Sequence, residues 1–162
     1  MYLSFNNKII KDLFICFILV LFQAYLPNIF ISQNLSLSLD VLLIFLTFMV
    51  LEYETSYIII LSFIFSIISD FIIQYELLGL SSLIKTISVY CISKIKSTNN
   101  LWLRYHKIIY IFIIYFIHFG IFYYINIFHF NSMLLIISFI HSIFALLFFL
   151  LIEKLFHNSK LL

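Results

Sequence analysis

The chain has 162 residues, of which 65% are hydrophobic and 10% are charged, and its formal net charge is +2. A soluble domain carries about 25% charged residues, and a chain of this length buries too little surface to hide so much apolar side chain. The composition therefore excludes a soluble globular protein and predicts an integral membrane protein with almost no mass outside the membrane. Its 2 glycines and 1 proline also exclude a linker-rich or collagen-like chain.

The apolar runs predict a single all-α transmembrane domain over residues 1–162, built as a bundle of about six spanning helices. Each run approaches the roughly 17–25 residues that a membrane-spanning helix needs. The predicted spans are 13–31, 37–53, 57–73, 77–93, 108–128 and 133–152.

Two of these spans need interpretation. The first resembles the apolar part of a signal peptide but is too long and lacks a cleavage site, so we expect an uncleaved helix with Pro27 in its last turns. The second is strictly apolar only over 41–51, which is too short for a hydrocarbon core about 30 Å thick. We therefore expect it to begin near Leu37 and to include Asp40, after a polar link over 32–38.

The basic residues predict the orientation. With a cytoplasmic N-terminus and six spans, eight of the nine basic residues fall in cytoplasmic segments, and the ninth, Lys85, lies inside a helix. This asymmetry predicts that both termini are cytoplasmic. The eight residues are Lys8, Lys11, Lys94, Lys96, Arg104, Lys107, Lys154 and Lys160.

The segment after the fourth span contains Trp102 and Arg104 among basic and aromatic residues. Tryptophan and tyrosine concentrate at membrane–water interfaces, so the segment is interpreted as an anchor at the cytoplasmic surface. A cytoplasmic binding site for a protein partner is the alternative. Cys16 and Cys91 lie in apolar runs and are interpreted as buried, reduced thiols.

Three charged side chains lie inside predicted spans: Asp40, Asp70 and Lys85. A charge at the centre of a membrane costs about 2.5–3.5 kcal/mol on insertion scales, so such groups usually pair or line water. We expect Lys85 to pair with Asp70, with Asp40 as a second partner. The pair is interpreted as a lock on helix packing, and a proton or cation relay is the alternative.

His118 and His141 lie near the middle of the fifth and sixth spans, at the same depth if the two helices form an antiparallel hairpin. Because a metal site usually needs three or four ligands, hydrogen bonding between helices is the favoured interpretation. Gly120 is expected to allow a close approach of two helices there. No nucleophile, phosphate or metalloprotease motif occurs, so we expect no enzyme activity, cofactor, metal or nucleic-acid partner.

Four short segments resemble the rod-shape-determining protein MreD of bacteria: LD at 39–40, SIISD at 66–70, LLGL at 77–80 and SKIK at 93–96. In that family, comparable segments open the second span, close the third, and begin and end the fourth. Ser66 stands where the family usually has glycine, and Lys85 lies in a helix that is normally apolar.

The resemblance implies a non-enzymatic scaffold in the bacterial inner membrane, with a fold similar to the substrate-binding subunits of energy-coupling-factor vitamin transporters. Its expected partner is MreC, and through MreC it would connect MreB filaments to RodA and its penicillin-binding transpeptidase during wall synthesis. The resemblance implies that Asp70 and Gly79 are critical for structure or partner binding. Gly79 is expected in a tight turn that a side chain would block. Membrane lipid and a second copy of the chain are further expected neighbours.

Two other functions remain open from the sequence. One is a substrate-binding membrane subunit of a small-molecule transporter, in which the intramembrane polar groups hold a ligand. The other is a proton- or ion-conducting protein that uses Asp70, Lys85, His118 and His141.

Overall fold

The computed structural model describes residues 2–26, 29–32, 35–37, 39–73, 78–97, 102–127 and 132–156. Within these residues the chain forms six α-helices and one two-stranded antiparallel ribbon. The helices are α1 (Tyr2–Tyr25), α2 (Val41–Glu52), α3 (Thr55–Ile73), α4 (Leu80–Ser97), α5 (Arg104–Ile127) and α6 (Ser132–Phe156), and the strands are β1 (Ile29–Ser32) and β2 (Leu35–Leu37). The predicted helical architecture is confirmed, and the ribbon was not predicted.

Three of the described helices are long and apolar enough to cross a membrane: Thr55–Ile73, Arg104–Ile125 and Ser132–Leu155. Their outward faces carry large exposed apolar side chains, such as Ile60, Ile113 and Ile136. An apolar exterior of this kind suits lipid and not water. These features confirm the prediction of a membrane protein with transmembrane helices.

The short helix α2 forms the centre of the bundle. It contacts α1, α3, α4 and α6, and Leu42, Leu43 and Leu46 are fully buried. Apolar residues cover all of its faces, which is the pattern of a helix enclosed on every side. Its 12 residues extend only about 18 Å, well short of a membrane core about 30 Å thick.

The predicted start of the second span near residue 37 is wrong for the helix. Asp40 occupies the N-cap of α2, where its Oδ1 accepts a hydrogen bond from the backbone N–H of Leu43 at 3.0 Å. Capping satisfies one of the N–H groups that a helix start leaves without a partner, so the helix begins at the next residue. The expected polar link over 32–38 contains β2, whose backbone pairs with that of β1.

The first predicted span, 13–31, differs from the observed helix at both ends. Helix α1 begins at Tyr2 and ends at Tyr25. Proline disfavours the helical conformation in the residue before it, which here is Leu26. The end of α1 at Tyr25 agrees with this restriction. Pro27 itself lies outside the described residues. The other four predicted spans each overlap one of the helices α3 to α6.

The bundle has one end rich in basic residues, which we call the basic end: Lys94, Lys96, Arg104, Lys107 and Lys154. Here Lys96 donates a hydrogen bond to the Tyr53 carbonyl, and the Tyr53 hydroxyl donates one to the Asp12 carboxylate. These contacts hold the starting half of α1, the end of α2 and the end of α4 together. The cytoplasmic location of this end stays a prediction.

Trp102 and Arg104 lie at the basic end as well. The Trp102 ring packs edge-on against Tyr110, with 5.2 Å between centroids, and the Arg104 guanidinium lies 3.8 Å from the Glu153 carboxylate of α6. Both residues therefore contact their own helical hairpin. Whether they also anchor the chain at an interface is a separate prediction.

Candidate functional site

A polar cavity that is lined mainly by buried side chains lies at the opposite end of the bundle from the basic end. Its volume is about 30 Å³, enough for roughly two water molecules. All five predicted intramembrane polar residues line it, so the structure brings together residues that are up to 101 positions apart. Its polar lining consists of Gln23, Asp40, Ser69, Asp70, Ser81, Lys85, His118 and His141.

Lys85 of α4 forms an ion pair with Asp40, with its Nζ 2.9 Å from Asp40 Oδ2. The two side chains are only 5% and 11% exposed. The expectation that Asp70 would be the main partner of Lys85 is wrong, and the predicted second partner takes that place. The reason is the central position of α2, which places its N-cap carboxylate directly against α4.

Asp70 instead caps the start of α4. Its Oδ2 accepts hydrogen bonds from the backbone N–H of Ser82 at 2.9 Å and of Gly79 at 3.3 Å. A carboxylate at a helix N-terminus satisfies unpaired N–H groups and interacts favourably with the helix dipole. Both aspartates of the cavity are therefore helix caps, Asp40 for α2 and Asp70 for α4.

Gly79 forms the predicted tight turn before α4, but not for the predicted reason. A Cβ added at this position would meet nothing within 4 Å, so a side chain would not be blocked. The backbone has φ +85°, which lies in the left-handed region. Glycine is favoured because any other residue is strained in that conformation.

His118 of α5 contacts Ser88 of α4, with 3.0 Å between Nδ1 and the serine Oγ. The Ser88 hydroxyl donates its only hydrogen to the Ile84 carbonyl at 2.8 Å. It must therefore accept from His118, which fixes the imidazole hydrogen on Nδ1 and leaves Nε2 as an acceptor. The pair is thus not arranged as a serine nucleophile with a histidine base.

His141 of α6 contacts Tyr123 of α5, with 2.9 Å between Nδ1 and the tyrosine hydroxyl. Its ring stacks on Phe119 at a centroid distance of 3.7 Å. The prediction of hydrogen bonds between helices is confirmed for both histidines, although the partners are Ser88 and Tyr123. Among the residues that the structure describes, no group of three or more His, Cys, Asp or Glu side chains is placed to hold a metal.

Gly120 does not allow a close helix approach, so that prediction is wrong. A Cβ at this position would meet nothing within 4 Å. The neighbouring contact between α5 and α6 is made by aromatic rings, with Phe112 and Phe116 packed on Phe139. The large phenylalanine side chains, and not the absence of a side chain at Gly120, determine the spacing of α5 and α6.

The sequence reasoning missed Gln23 and the serines of the cavity. Gln23 of α1 accepts a hydrogen bond from the backbone N–H of Leu42 at 3.2 Å, so a second helix helps to cap α2. Ser81 and Ser88 lie one turn on either side of Lys85 on the same face of α4. That spacing was visible in the sequence and marks a polar face.

Comparisons with protein-family models, with curated proteins and with solved structures found no match to this chain.

Proposed function

We propose that the chain is a non-enzymatic scaffold of the bacterial inner membrane that acts in cell elongation. In this role it helps to organise peptidoglycan synthesis and cell shape together with MreC. The observation that carries the proposal is that the two aspartates of the cavity, Asp40 and Asp70, cap helices and that Lys85 neutralises Asp40. Charged side chains with these contacts fix the ends and relative positions of the helices, which is a structural role.

The residues that carry the resemblance to the MreD family support this role. Asp40 caps α2, Asp70 near the end of α3 caps α4, and Gly79 forms the turn between α3 and α4. Three of the four family-like segments thus supply residues that cap or turn the chain at helix ends. Such contacts fix how helices meet, which a protein with almost no mass outside the membrane needs in order to present a defined surface.

An apolar groove between α4 and α5 is the proposed contact surface for the spanning helix of MreC. It has a volume of about 100 Å³ and is lined by Ile84, Ile87, Cys91, Ile114, Ile117 and Ile121, with Ser88 and His118 beneath. Helix association in lipid depends on close van der Waals packing, with polar groups adding hydrogen bonds. The chain would associate indirectly, through MreC, with MreB filaments and with RodA and its penicillin-binding transpeptidase.

The primary experiment is depletion of the protein in its native host. Loss of a scaffold of lateral wall synthesis converts rods into spheres, and cells that stay rod-shaped after depletion contradict the proposal. Affinity capture from the same cells is expected to recover a partner with one spanning helix and an extracytoplasmic domain.

A matched pair of variants tests the groove. Ile117→Trp places a bulky ring in it, whereas Ile140→Trp makes the same change on α6 at a residue of equal exposure, 52% against 53%. We expect only the Ile117 variant to lose partner capture and rod shape. Equal capture by both variants would reject this groove as the contact surface.

A second candidate function is a substrate-binding subunit of a small-molecule transporter. The polar cavity favours it, since side chains from five helices and the α2 cap converge there. A ligand of vitamin size needs a pocket of about 300–1,000 Å³, so the cavity would have to widen to accept one. Ligand co-purification, or uptake that requires a partner ATPase, would support this function over the scaffold.

The proton- or ion-conducting alternative rests on the same cavity. Proton or cation flux into liposomes that is lost in Asp70→Asn would support it. A protein that passes no ions in liposomes yet maintains rod shape in cells would favour the scaffold.

A further inference from the structure

We propose that the polar cavity binds one small monovalent cation, such as sodium, through the carboxylate of Asp70 and the hydroxyls of Ser69 and Ser81. This site goes beyond the scaffold role and does not depend on it. All three side chains line the cavity, and they come from the end of α3 and the start of α4.

Two of the proposed ligands are buried without a protein partner. Ser69 is 2% exposed and Ser81 is 4% exposed, and neither hydroxyl makes a hydrogen bond with the described part of the chain. Of the other buried serines nearby, Ser62 and Ser82 donate to the carbonyls of Ile59 and Gly79. Ser66 is also buried without a partner, but it does not line the cavity. Because buried polar groups are normally satisfied, the two unpartnered hydroxyls point to a ligand or ordered water in the cavity.

The charges of the cavity favour a cation over an anion. Asp40 and Lys85 neutralise each other, which leaves the Asp70 carboxylate and a formal charge of −1. Only one Asp70 oxygen, Oδ2, receives hydrogen bonds from the described backbone, so Oδ1 remains as an acceptor. His118 adds a further acceptor, Nε2, because its Nδ1 hydrogen goes to Ser88.

Size and ligand type narrow the choice to a single small ion. A volume of about 30 Å³ holds an alkali cation with one water molecule and has no room for an organic cation. Carboxylate and hydroxyl oxygens are hard ligands that suit hard cations. The α4 N–H groups already offset part of the Asp70 charge, so one positive charge is enough to balance the cavity.

The test measures the melting temperature of the purified full-length protein in nanodiscs. Sodium, potassium or lithium chloride is titrated against choline chloride at constant ionic strength, because choline matches the charge but is too large for the cavity. We expect a saturable rise of about 5 °C at a concentration a hundredfold above Kd for the preferred alkali ion. Identical curves in alkali and choline salts would overturn the proposal.

Two variants assign the effect to the site. Asp70→Asn removes the charge but keeps an oxygen that can accept from the Gly79 and Ser82 N–H groups. The double variant Ser69→Ala, Ser81→Ala removes hydroxyls that make no hydrogen bond within the described fold. We expect each to shift the half-saturating cation concentration at least tenfold upward.

The matched control is the double variant Ser138→Ala, Ser142→Ala. These α6 serines are equally buried but donate to carbonyls of their own helix, so the cation response should stay as in the parent protein. An unchanged response in the Ser69, Ser81 variant would reject the site, and this result is decisive even if Asp70→Asn cannot be purified. Direct calorimetric titration with the preferred ion should give the same order of affinities.

Discussion

The two ends of the bundle use the same kinds of charged residue in different ways. At the basic end, Arg104 pairs with Glu153 over 3.8 Å, and the arginine is 46% exposed although the glutamate is only 3% exposed. At the cavity end, Lys85 pairs with Asp40 over 2.9 Å and both are almost fully buried. Water reaches the arginine of the first pair, whereas both side chains of the second pair are shielded from bulk water. The comparison teaches that burial, and not charge alone, decides which of these residues the fold depends on.

The largest effect is expected when Lys85 is replaced by methionine. This change leaves the Asp40 carboxylate buried without its counter-ion, at a cost of about 3–5 kcal/mol in the free energy of unfolding. The measurements are membrane accumulation and the melting temperature of the purified protein. Adding Asp40→Asn removes the stranded charge and keeps the helix cap, so the double variant should be more stable than Lys85→Met alone. Additive losses would contradict the ion pair.

The next effect concerns the cap of α4. Asp70→Ala removes the acceptor for the Gly79 and Ser82 N–H groups, and we expect a loss of about 1–2 kcal/mol. Asp70→Asn keeps an acceptor and should lose less, when both are compared in choline chloride. An Asn variant as unstable as the Ala variant would show that the charge, and not the cap, is what matters.

Alanine substitutions at the two glycines are expected to have smaller effects on stability, and the two effects should have opposite signs. Gly79→Ala should cost about 1–2 kcal/mol because of the positive φ at this residue. Gly120→Ala should be neutral or stabilise α5 by up to about 1 kcal/mol, because it is helical and has open space around it. The melting temperatures of the two variants should therefore move apart, and a destabilised Gly120→Ala would indicate an unseen packing contact.

The smallest effect is expected for Arg104→Gln at the basic end. Glu153 is only 3% exposed, but Arg104 is 46% exposed and the two groups are 3.8 Å apart. A long contact with one exposed partner is expected to contribute about 0–1 kcal/mol. The melting temperature should change by a few degrees at most, and the difference should shrink as salt is added. A loss as large as that of Lys85→Met would remove the distinction between the two ends.

The fold was predictable to the extent that local signals decide it. The apolar runs predicted the helices, and the charged residues within them identified the cavity lining. The relative positions of helices were not predictable in this way. Asp70 is nearer than Asp40 to Lys85 along the chain, but the packing of α2 against α4 brings Asp40 within 2.9 Å of Lys85.

The ribbon and the short α2 illustrate the same limit. A length argument for a spanning helix predicted a start near Leu37, yet β1 and β2 pair with each other there and Asp40 caps the start of the helix at Val41. Backbone polar groups in a membrane protein must be satisfied within the protein, but more than one arrangement does so. Only the packed structure selects between them.

Composition and apolar run length were enough to predict that this chain belongs in a membrane and is helical, because both express the cost of placing polar groups in lipid. The charged residues and histidines within the runs identified five of the side chains that line the cavity, but not Gln23 or the serines. The tertiary structure alone decided which of these polar groups meet. Pairing depends on the three-dimensional order of the helices, and a central helix only 12 residues long brings its cap to a lysine 45 positions away.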